Sequence, residues 1–223
     1  MENKDKQAIV IGATGLTGFE LTKLLLQDET FNKVIVLTRR KTGLIDDKLF
    51  EHIVDFDNPE SYSDLVRGDV LFSCMGTTIK KAKKKSEQYK VDVTYQYEVA
   101  KAAKKNDVPK YVLISSPGAK KKSLVFYSRI KGILEDKIKN LYYNRTIIFR
   151  PSVLIGHRAD KRRNEEFAAK FMRFIVRILP FTKKYRGIEG AELAQAMINA
   201  SKLENPMIVY ELGEIFNLLH KSN

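Results

Sequence analysis

Cysteine, histidine and long apolar runs are scarce in this chain of 223 residues. Cys74 is its one cysteine, which excludes an internal disulfide and fits a reducing compartment. One cysteine and three scattered histidines argue against a structural zinc site, and no apolar run is long enough to span a membrane. The first six residues carry mixed charge, and no apolar segment follows them before the first predicted strand. We therefore expect no signal peptide, no metal and a cytoplasmic location.

Acidic residues are also in the minority, at 27 against 40 Lys and Arg, so the net charge is +13. Such a balance favours anionic partners: a phosphorylated cofactor, an acidic substrate, nucleic acid or an anionic surface. Most of the lysines fit a solvated surface. The basic run at 80–85 has no aromatic neighbours for base contacts, so we do not expect a nucleic-acid partner. A small, acidic substrate fits it better, and the sequence indicates no oligomeric state.

Three glycines spaced three apart follow the first apolar run, at Gly12, Gly15 and Gly18, and a helical pattern begins at once. The first lets the chain turn sharply at the strand end, and the second removes a side chain where a pyrophosphate approaches. The third lets the helix pack close to the strand. The free N–H groups of the first helical turn then face an anion. This strand–turn–helix context predicts a dinucleotide site, with an ordinary tight turn as the alternative.

The second predicted strand, at 33–38, ends in Arg39, Arg40 and Lys41. A site for NAD usually has an acidic residue there, which accepts hydrogen bonds from the ribose hydroxyls. A guanidinium group instead suits the 2′-phosphate of NADP(H) in both geometry and charge. We therefore predict NADP(H) as the cofactor, the alternative being a basic loop at a strand end.

Strands and helices alternate along the rest of the chain, which predicts a Rossmann-type doubly wound, mostly parallel α/β sheet. No linker marks a second domain, so residues 1–223 are expected to form one domain. Residues 152–223 change in character, and we expect them to form a small substrate-side extension, or lid, over the carboxyl ends of the strands. The further predicted strands are 52–56, 69–76, 111–116 and 146–151, and the main predicted helices are 87–106, 125–140, 167–179, 191–203 and 212–220.

Several strand ends carry candidate site residues. Met75 and Gly76 end the fourth strand, next to the first, where they would line the cofactor. Asp55 ends the third strand, where it fits either a contact with the adenine amino group or a cap for a helix after Pro59. Cys74 is interpreted as a small core residue rather than a nucleophile.

Tyr127 and Lys131 are four residues apart, so they share one face of a predicted helix. A lysine ammonium beside an oxidised nicotinamide would lower the pKa of the phenol. The phenol would then exchange the proton that accompanies hydride transfer. Either Ser115 or Ser116, at the end of the fifth strand, would contact the same substrate oxygen. Tyr97 and Lys101 show the same spacing, but no hydroxyl-bearing strand end precedes them.

Six segments, in order, resemble the short-chain dehydrogenase/reductases. More narrowly, they are similar to the atypical NAD(P)H-binding branch that includes the Tat-interactive-protein oxidoreductases. The segments are Gly-Ala-Thr-Gly-Leu-Thr-Gly at 12–18, Thr-Arg-Arg-Lys at 38–41, Cys-Met-Gly-Thr-Thr at 74–78, Leu-Ile-Ser-Ser-Pro-Gly-Ala at 113–119, Tyr-Ser-Arg-Ile-Lys-Gly at 127–132 and Phe-Arg-Pro-Ser-Val-Leu at 149–154.

The resemblance implies an NADPH-dependent oxidoreductase that reduces a small carbonyl compound. A non-catalytic NADP(H)-binding protein with a redox-sensing or regulatory role is the alternative. The implied catalytic residues are Tyr127, Lys131 and Ser116. The residues that the resemblance assigns to the cofactor are Thr14, Gly15, Leu16 and Thr17 at the pyrophosphate, Arg39 and Arg40 at the 2′-phosphate, Met75 and Gly76 at its flank, and Lys131, Leu154 and Arg162 at the nicotinamide end.

Overall fold

The computed structural model describes residues 5–155 and 187–219. Seven strands form one parallel sheet in the order β3-β2-β1-β4-β5-β6-β9, and β7 and β8 form a separate short parallel pair. The strands are β1 (Lys6–Ile11), β2 (Phe31–Thr38), β3 (Leu49–Ile53), β4 (Val70–Ser73), β5 (Lys110–Ile114), β6 (Arg145–Arg150), β7 (Leu154–Ile155), β8 (Ile188–Glu189) and β9 (Val209–Glu211).

Helices connect most of these strands, and the predicted Rossmann-type sheet is confirmed. A π-helical turn, Lys90–Thr94, lies between α3 and α4, and two 3₁₀ turns, Pro59–Ser61 and Ser63–Leu65, precede β4. The α-helices of the described residues are α1 (Leu16–Gln27), α2 (Ile79–Ala82), α3 (Lys85–Tyr89), α4 (Tyr95–Lys105), α5 (Phe126–Lys139), α6 (Gly190–Lys202) and α7 (Gly213–Asn217). Within this part of the chain, no helix combines the length and the apolar character that crossing a bilayer requires.

The sheet is covered on both faces, so its central strands consist of almost uninterrupted apolar residues. In β1, Ala8 and Val10 face a core shared with α1 and α6, whereas Ile9 and Ile11 face a second core shared with α4 and α5. All four side chains are fully buried. Because strand side chains alternate between faces, one strand contributes to both cores and fixes the helices on either side.

Two predicted helical segments differ from the structure. The helix predicted at 87–106 is interrupted by the π-helical turn, in which Asp92 is fully buried. The helix expected after Pro59 consists of the two 3₁₀ turns. Asp55 caps neither of them: its Oδ1 accepts a hydrogen bond from the Asp57 amide at 2.9 Å, so the side chain stabilises a local turn.

The described part of the C-terminal region extends the sheet. Strand β9 pairs with β6, which would otherwise be an open edge of the sheet, and α6 packs against α1 in the first core, where it covers the apolar face of α1. The lid expected of residues 152–223 stays a prediction. The predicted helix at 167–179 lies outside the described residues.

An ion pair joins the ends of α1 and α6, with Lys202 Nζ 2.6 Å from Asp28 Oδ2. The Thr30 amide also donates to Asp28 Oδ1, at 2.9 Å. Burial by itself would raise the pKa of Asp28, but these bonds from Lys202 and Thr30 outweigh it, so the pKa lies below the usual Asp value. The charged carboxylate thus stabilises the folded state.

We predict that Asp28→Asn lowers the free energy of unfolding by about 1 kcal/mol at neutral pH, as expected for a partly exposed ion pair. The loss should be complete above pH about 4 and should vanish as the pH falls through the lowered pKa, where Asp28 is itself protonated. Urea unfolding across this range measures both effects. Asp64→Asn removes a carboxylate from an exposed pair and should change stability little at any pH. A loss from Asp28→Asn that does not depend on pH would contradict this account.

Candidate nucleotide site and active site

The first turn of the chain lies where the strand order reverses, between β1 and β4. Gly12 has a φ of +84°, which side-chain-bearing residues rarely adopt. A Cβ atom at this position would lie 2.5 Å from the carbonyl carbon of Cys74 and 2.6 Å from the amide nitrogen of Met75. Both conformation and space therefore require glycine. Ligands of open α/β sheets bind in the crevice that such a reversal creates.

Helix α1 packs directly onto this turn through Gly18. A Cβ atom at Gly18 would overlap the carbonyl oxygen of Gly12. Gly15, the residue before α1, donates its amide to the same oxygen at 2.8 Å. The three glycines thus form one compact unit at the carboxyl end of β1, with the spacing that the sequence indicated.

The beginning of α1 has the chemistry of an anion site. No side chain caps it, and its first turn contains no acidic residue. The hydroxyl of Thr17 is buried in this turn and has no hydrogen-bond partner among the described residues. Helix dipole, backbone N–H groups and this hydroxyl therefore suit a pyrophosphate. Thr14 and Leu16 belong to the same turn, and α6 begins beside it: a Cβ atom at Gly190 would lie 3.1 Å from Leu16 Cγ.

Arg39 and Arg40 follow β2, the neighbour of β1, and both are exposed. The Thr38 hydroxyl donates to the carbonyl of Arg40 at 2.9 Å, which holds the backbone of this turn. Within the described ranges, neither guanidinium group forms an ion pair or hydrogen bond. Two unpaired guanidinium groups are thus available at the position where a cofactor's adenosine ribose lies in this fold.

The segment after β4 supplies the opposite side of the crevice. Met75 is 8% exposed and packs in the second core, whereas Gly76 is exposed. The amide of Thr77 donates to Asp92 Oδ2 at 3.0 Å. The basic run at 80–85 follows as α2 and the start of α3, with Lys85 Nζ 5.5 Å from the centre of the Phe126 ring. The sequence had indicated no helical face in this run, yet part of it is helical.

Lys131 lies in the interior below Tyr127, with its side chain only 2% exposed. Its Nζ atom is 5.9 Å from the centre of the Tyr127 ring, 3.4 Å from the Ile114 carbonyl oxygen and 3.1 Å from Asp92 Oδ1. Asp92 itself is fully buried. The structure therefore unites the predicted pair on one helix face and adds a carboxylate that the sequence analysis missed. An acidic residue on the apolar face of the predicted helix 87–106 was the available signal.

The environment changes the expected acidity of the phenol. Burial raises the pKa of Tyr127; Lys131 opposes this effect, and Asp92 adds to it. The expected lowering of the pKa by Lys131 is thus outweighed in the protein without cofactor. Burial alone would lower the pKa of Lys131, but Asp92 raises it above its ordinary value, so Lys131 carries its charge at neutral pH. The phenol is therefore protonated at neutral pH rather than a phenolate.

The two serines at the end of β5 differ in their contacts. Ser115 donates its hydroxyl to Glu135 Oε1 at 2.5 Å. Arg150 binds the same carboxylate through two bonds, at 2.7 and 3.0 Å. The Ser116 hydroxyl is buried and, unlike that of Ser115, has no hydrogen-bond partner in the described part of the chain. Glu135 and Arg150, which we did not single out from the sequence, fix the other serine.

The remaining candidates are placed as follows. Burial raises the pKa of the Cys74 thiol well above its usual range, so the sulfur is not a nucleophilic thiolate. The Tyr97 ring lies under the ammonium groups of Lys101 and Lys137, at 5.4 and 4.3 Å from its centre, on the outer side of α4 and α5. Leu154 lies in β7 and is partly exposed, whereas Arg162 lies outside the described residues. No cluster of metal-binding side chains occurs in the ranges that the structure describes.

Comparison with known proteins identifies the family. A model of the NAD dependent epimerase/dehydratase family matches residues 8–182. The chain belongs to this family, within the short-chain dehydrogenase/reductases. It is 32% identical to "Protein FMP52-1, mitochondrial" of Scheffersomyces stipitis over 96% of this chain and 99% of that protein. It is also 35% identical to Protein HTATIP2 of Rattus norvegicus over 75% of this chain and 71% of that protein. The resemblance seen in the sequence is confirmed.

Solved structures show the same fold. The Bordetella bronchiseptica enzyme WbmF, in complex with NAD+, superposes with a TM-score of 0.71 at 14% sequence identity, over 97% of this chain and 78% of that one. A short-chain type dehydrogenase/reductase from Mycobacterium ulcerans superposes with a TM-score of 0.67 at 16% identity, over 96% and 91%.

The relatives correct one expectation. Both FMP52-1 and the FMP52 protein of Candida glabrata, which is 40% identical over 69% of this chain and 66% of that protein, are named mitochondrial. The cytoplasmic location that we expected is therefore wrong. A single cysteine indicates only a reducing compartment, and a reducing environment is not unique to the cytosol.

Proposed function

We propose that the protein is an NADPH-dependent oxidoreductase that reduces a small carbonyl compound. The uncapped beginning of α1 on its glycine turn, next to the two unpaired guanidinium groups of Arg39 and Arg40, is the observation that carries this proposal. The description of the epimerase/dehydratase family says only that it is NAD dependent. The preference for NADPH over NADH is proposed from Arg39 and Arg40 of this chain.

The cofactor preference follows from charge. Arg39 and Arg40 occupy the position after β2 at which an acidic side chain would bind a ribose hydroxyl. They would bind a 2′-phosphate through charge-assisted hydrogen bonds, which NADH cannot offer. Thr14, Gly15, Leu16 and Thr17 would hold the pyrophosphate, and Met75, Gly76, Lys131, Leu154 and Arg162 would flank the remainder.

The chemistry would be carried by Tyr127, at the start of α5, and Ser116, just after β5. The bound cofactor would supply the hydride. Tyr127, whose pKa is raised by burial, would donate a proton to the carbonyl oxygen. The free hydroxyl of Ser116 would donate a hydrogen bond to the same oxygen. Lys131 would hold the nicotinamide ribose and stay charged beside the phenol.

The substrate class follows from the surface next to the crevice. Lys85, the last lysine of the run at 80–85, lies beside Phe126, one residue before Tyr127. A carbonyl compound that carries a carboxylate or phosphate would be attracted to this surface. The run at 80–85 itself contains no aromatic residue on which a nucleic-acid base could stack, so a small molecule is the proposed ligand.

We predict that Arg39→Ala combined with Arg40→Ala weakens NADPH binding at least about tenfold while leaving NADH binding nearly unchanged, because a charge-assisted bond contributes about 1.5–3 kcal/mol. Isothermal titration calorimetry with each cofactor measures the difference. A control variant, Arg67→Ala with Lys105→Ala, also removes two exposed cations and should retain the NADPH preference. Equal losses for both cofactors in the first variant would count against a contact with the 2′-phosphate.

We also predict that Tyr127→Phe reduces turnover about 10²–10⁴-fold, the usual contribution of a general acid, and leaves NADPH affinity within about twofold. Loss of NADPH absorbance with a panel of aldehydes and ketones, half of them acidic, measures turnover. Tyr97→Phe is the matched control and should remain active. If wild type and Tyr127→Phe both bind NADPH and neither oxidises it, the non-catalytic alternative is favoured.

A further inference from the structure

We propose that the protein has a second anion site, at the end of the sheet opposite the glycine turn, which binds the phosphate group of a phosphate monoester. Lys6, Lys110 and Arg145 form this site. The inference does not depend on the proposed function, because it concerns neither the cofactor nor the reaction. Neither the family description nor the relatives' names assign a ligand to this end of the sheet.

The first support is the place of these cations in the sheet. Lys6, Lys110 and Arg145 are the first residues of β1, β5 and β6. Parallel strands begin at one end of their sheet, and the register makes Lys110 and Arg145 direct partners. The residues two positions further along are Ala8, Val112 and Ile147, which are all buried in the first core. Because side chains alternate along a strand, the three cations lie on this same face, which α6 covers.

The second support is a cavity at this point. It measures about 80 Å³ and lies between Lys6, Lys110 and the last turn of α6. Its lining also includes the buried side chains of Phe31 and Val70, and a wider depression next to Arg145 shares both lysines with it. One water molecule needs about 10–15 Å³, so the cavity has room for a group of several atoms. A phosphate fits it, whereas a dinucleotide is much too large, so NADPH is not the ligand proposed here.

The third support is the shortage of negative charge around these cations. None of the three forms an ion pair within residues 5–155 and 187–219. Lys202 also lines the cavity, but it is already paired with Asp28. Asp69 lines the cavity and accepts the Gln7 amide through Oδ2 at 2.7 Å, and Glu204 lines the depression and is exposed. Three cations therefore face two carboxylates, and the lining has an excess of positive charge.

The acidity of Lys110 agrees with this excess. Burial and the positive charges of Lys6 and Arg145 lower the pKa of Lys110, and Asp69 opposes them. Like charges that are held close together disfavour the charged form of each. A phosphate between them would replace this repulsion with charge-assisted hydrogen bonds. A lysine perturbed in this way and placed in a cleft is typical of a binding site.

The end of α6 fixes both of the donors that face the depression. Lys110 Nζ donates to the Ser201 carbonyl oxygen at 2.9 Å, and Arg145 Nε donates to that of Glu204 at 3.2 Å. Arg145 Nη1 also donates to the Asn144 carbonyl oxygen at 3.3 Å. An ammonium group has three N–H donors and a guanidinium group has five, so these bonds leave donors on both side chains. The remaining donors can bind phosphate oxygens.

The experiment adds inorganic phosphate to the isotopically labelled full chain and follows amide NMR, with sodium chloride at equal ionic strength as the reference. Phosphate should produce saturable shifts at the amides of Lys110, Arg145 and Leu203. Lys110→Met should weaken this binding at least about tenfold, because a hydrogen bond between charged groups is lost. Lys122→Met removes an exposed lysine from another surface and should leave the binding unchanged.

A second variant covers the case in which Lys110→Met does not fold. Lys6→Met removes a side chain that makes no hydrogen bond within the described ranges, so it should fold, and it should also weaken phosphate binding. Absence of phosphate-specific shifts at Lys110 and Arg145, or wild-type affinity in folded Lys110→Met and Lys6→Met, overturns the proposal. NADPH is absent from these experiments, so failure here is distinct from failure of the proposed function.

Two further probes identify the source of the phosphate. The first is glycerol 3-phosphate, and the second is a vesicle of phosphatidylcholine that contains phosphatidic acid. Retention on the vesicles that Lys6→Met abolishes would make the ligand a lipid headgroup. Saturable shifts with glycerol 3-phosphate, without such retention, would make it a soluble ester. Either result supports the site.

Discussion

The contact between Gly12 and Gly18 is the constraint on which the site depends. A left-handed turn ends β1, lies against the backbone after β4 and receives α1 directly on its carbonyl oxygen. The contact leaves no room for a Cβ atom at either glycine. It fixes where α1 begins, and hence where unsatisfied N–H groups and the positive end of the helix dipole are directed. The strand reversal beside it provides the crevice into which they point.

Electrostatics divide the site into two regions of different character. Near β2, Arg39 and Arg40 are exposed and unpaired among the described residues, which suits recognition of a ligand that arrives with its own charge. Near α5, the charges are buried and balanced within the protein, as Lys131 with Asp92 and Arg150 with Glu135. Buried pairs of this kind contribute little net stability but strongly restrict the geometry of their members. Under the proposed function, the first region would recognise the ligand, and the second would fix the groups that react.

Much of the fold could be predicted from the sequence, because its signals are local. Apolar runs bounded by glycine or proline indicate buried parallel strands, and glycine spacing indicates a turn whose backbone needs are independent of distant residues. The pairing of Tyr127 with Lys131 also follows from helical periodicity alone. These predictions concern residues within one or two elements of each other.

What the sequence did not reveal depends on contacts between distant segments. The π-helical turn leaves no mark in the apolar pattern, so Asp92 was assigned to an ordinary helix although it meets Lys131, 39 positions further along. The choice between Ser115 and Ser116 depends on Glu135 and Arg150, on two other elements. The place of β9 depends on which edge strand lacks a partner. Such features are decided by tertiary packing rather than by local preference.

The most direct test of the central claim is a titration of the isotopically labelled protein with NADPH, followed by amide NMR. The account predicts that the largest shifts fall on the amides of Leu16 and Thr17 and on those of Arg39 and Arg40. Lys110 and Arg145, at the amino-terminal ends of β5 and β6, should remain unchanged. Shifts confined to those strand ends, or no shifts at saturating NADPH, would contradict it.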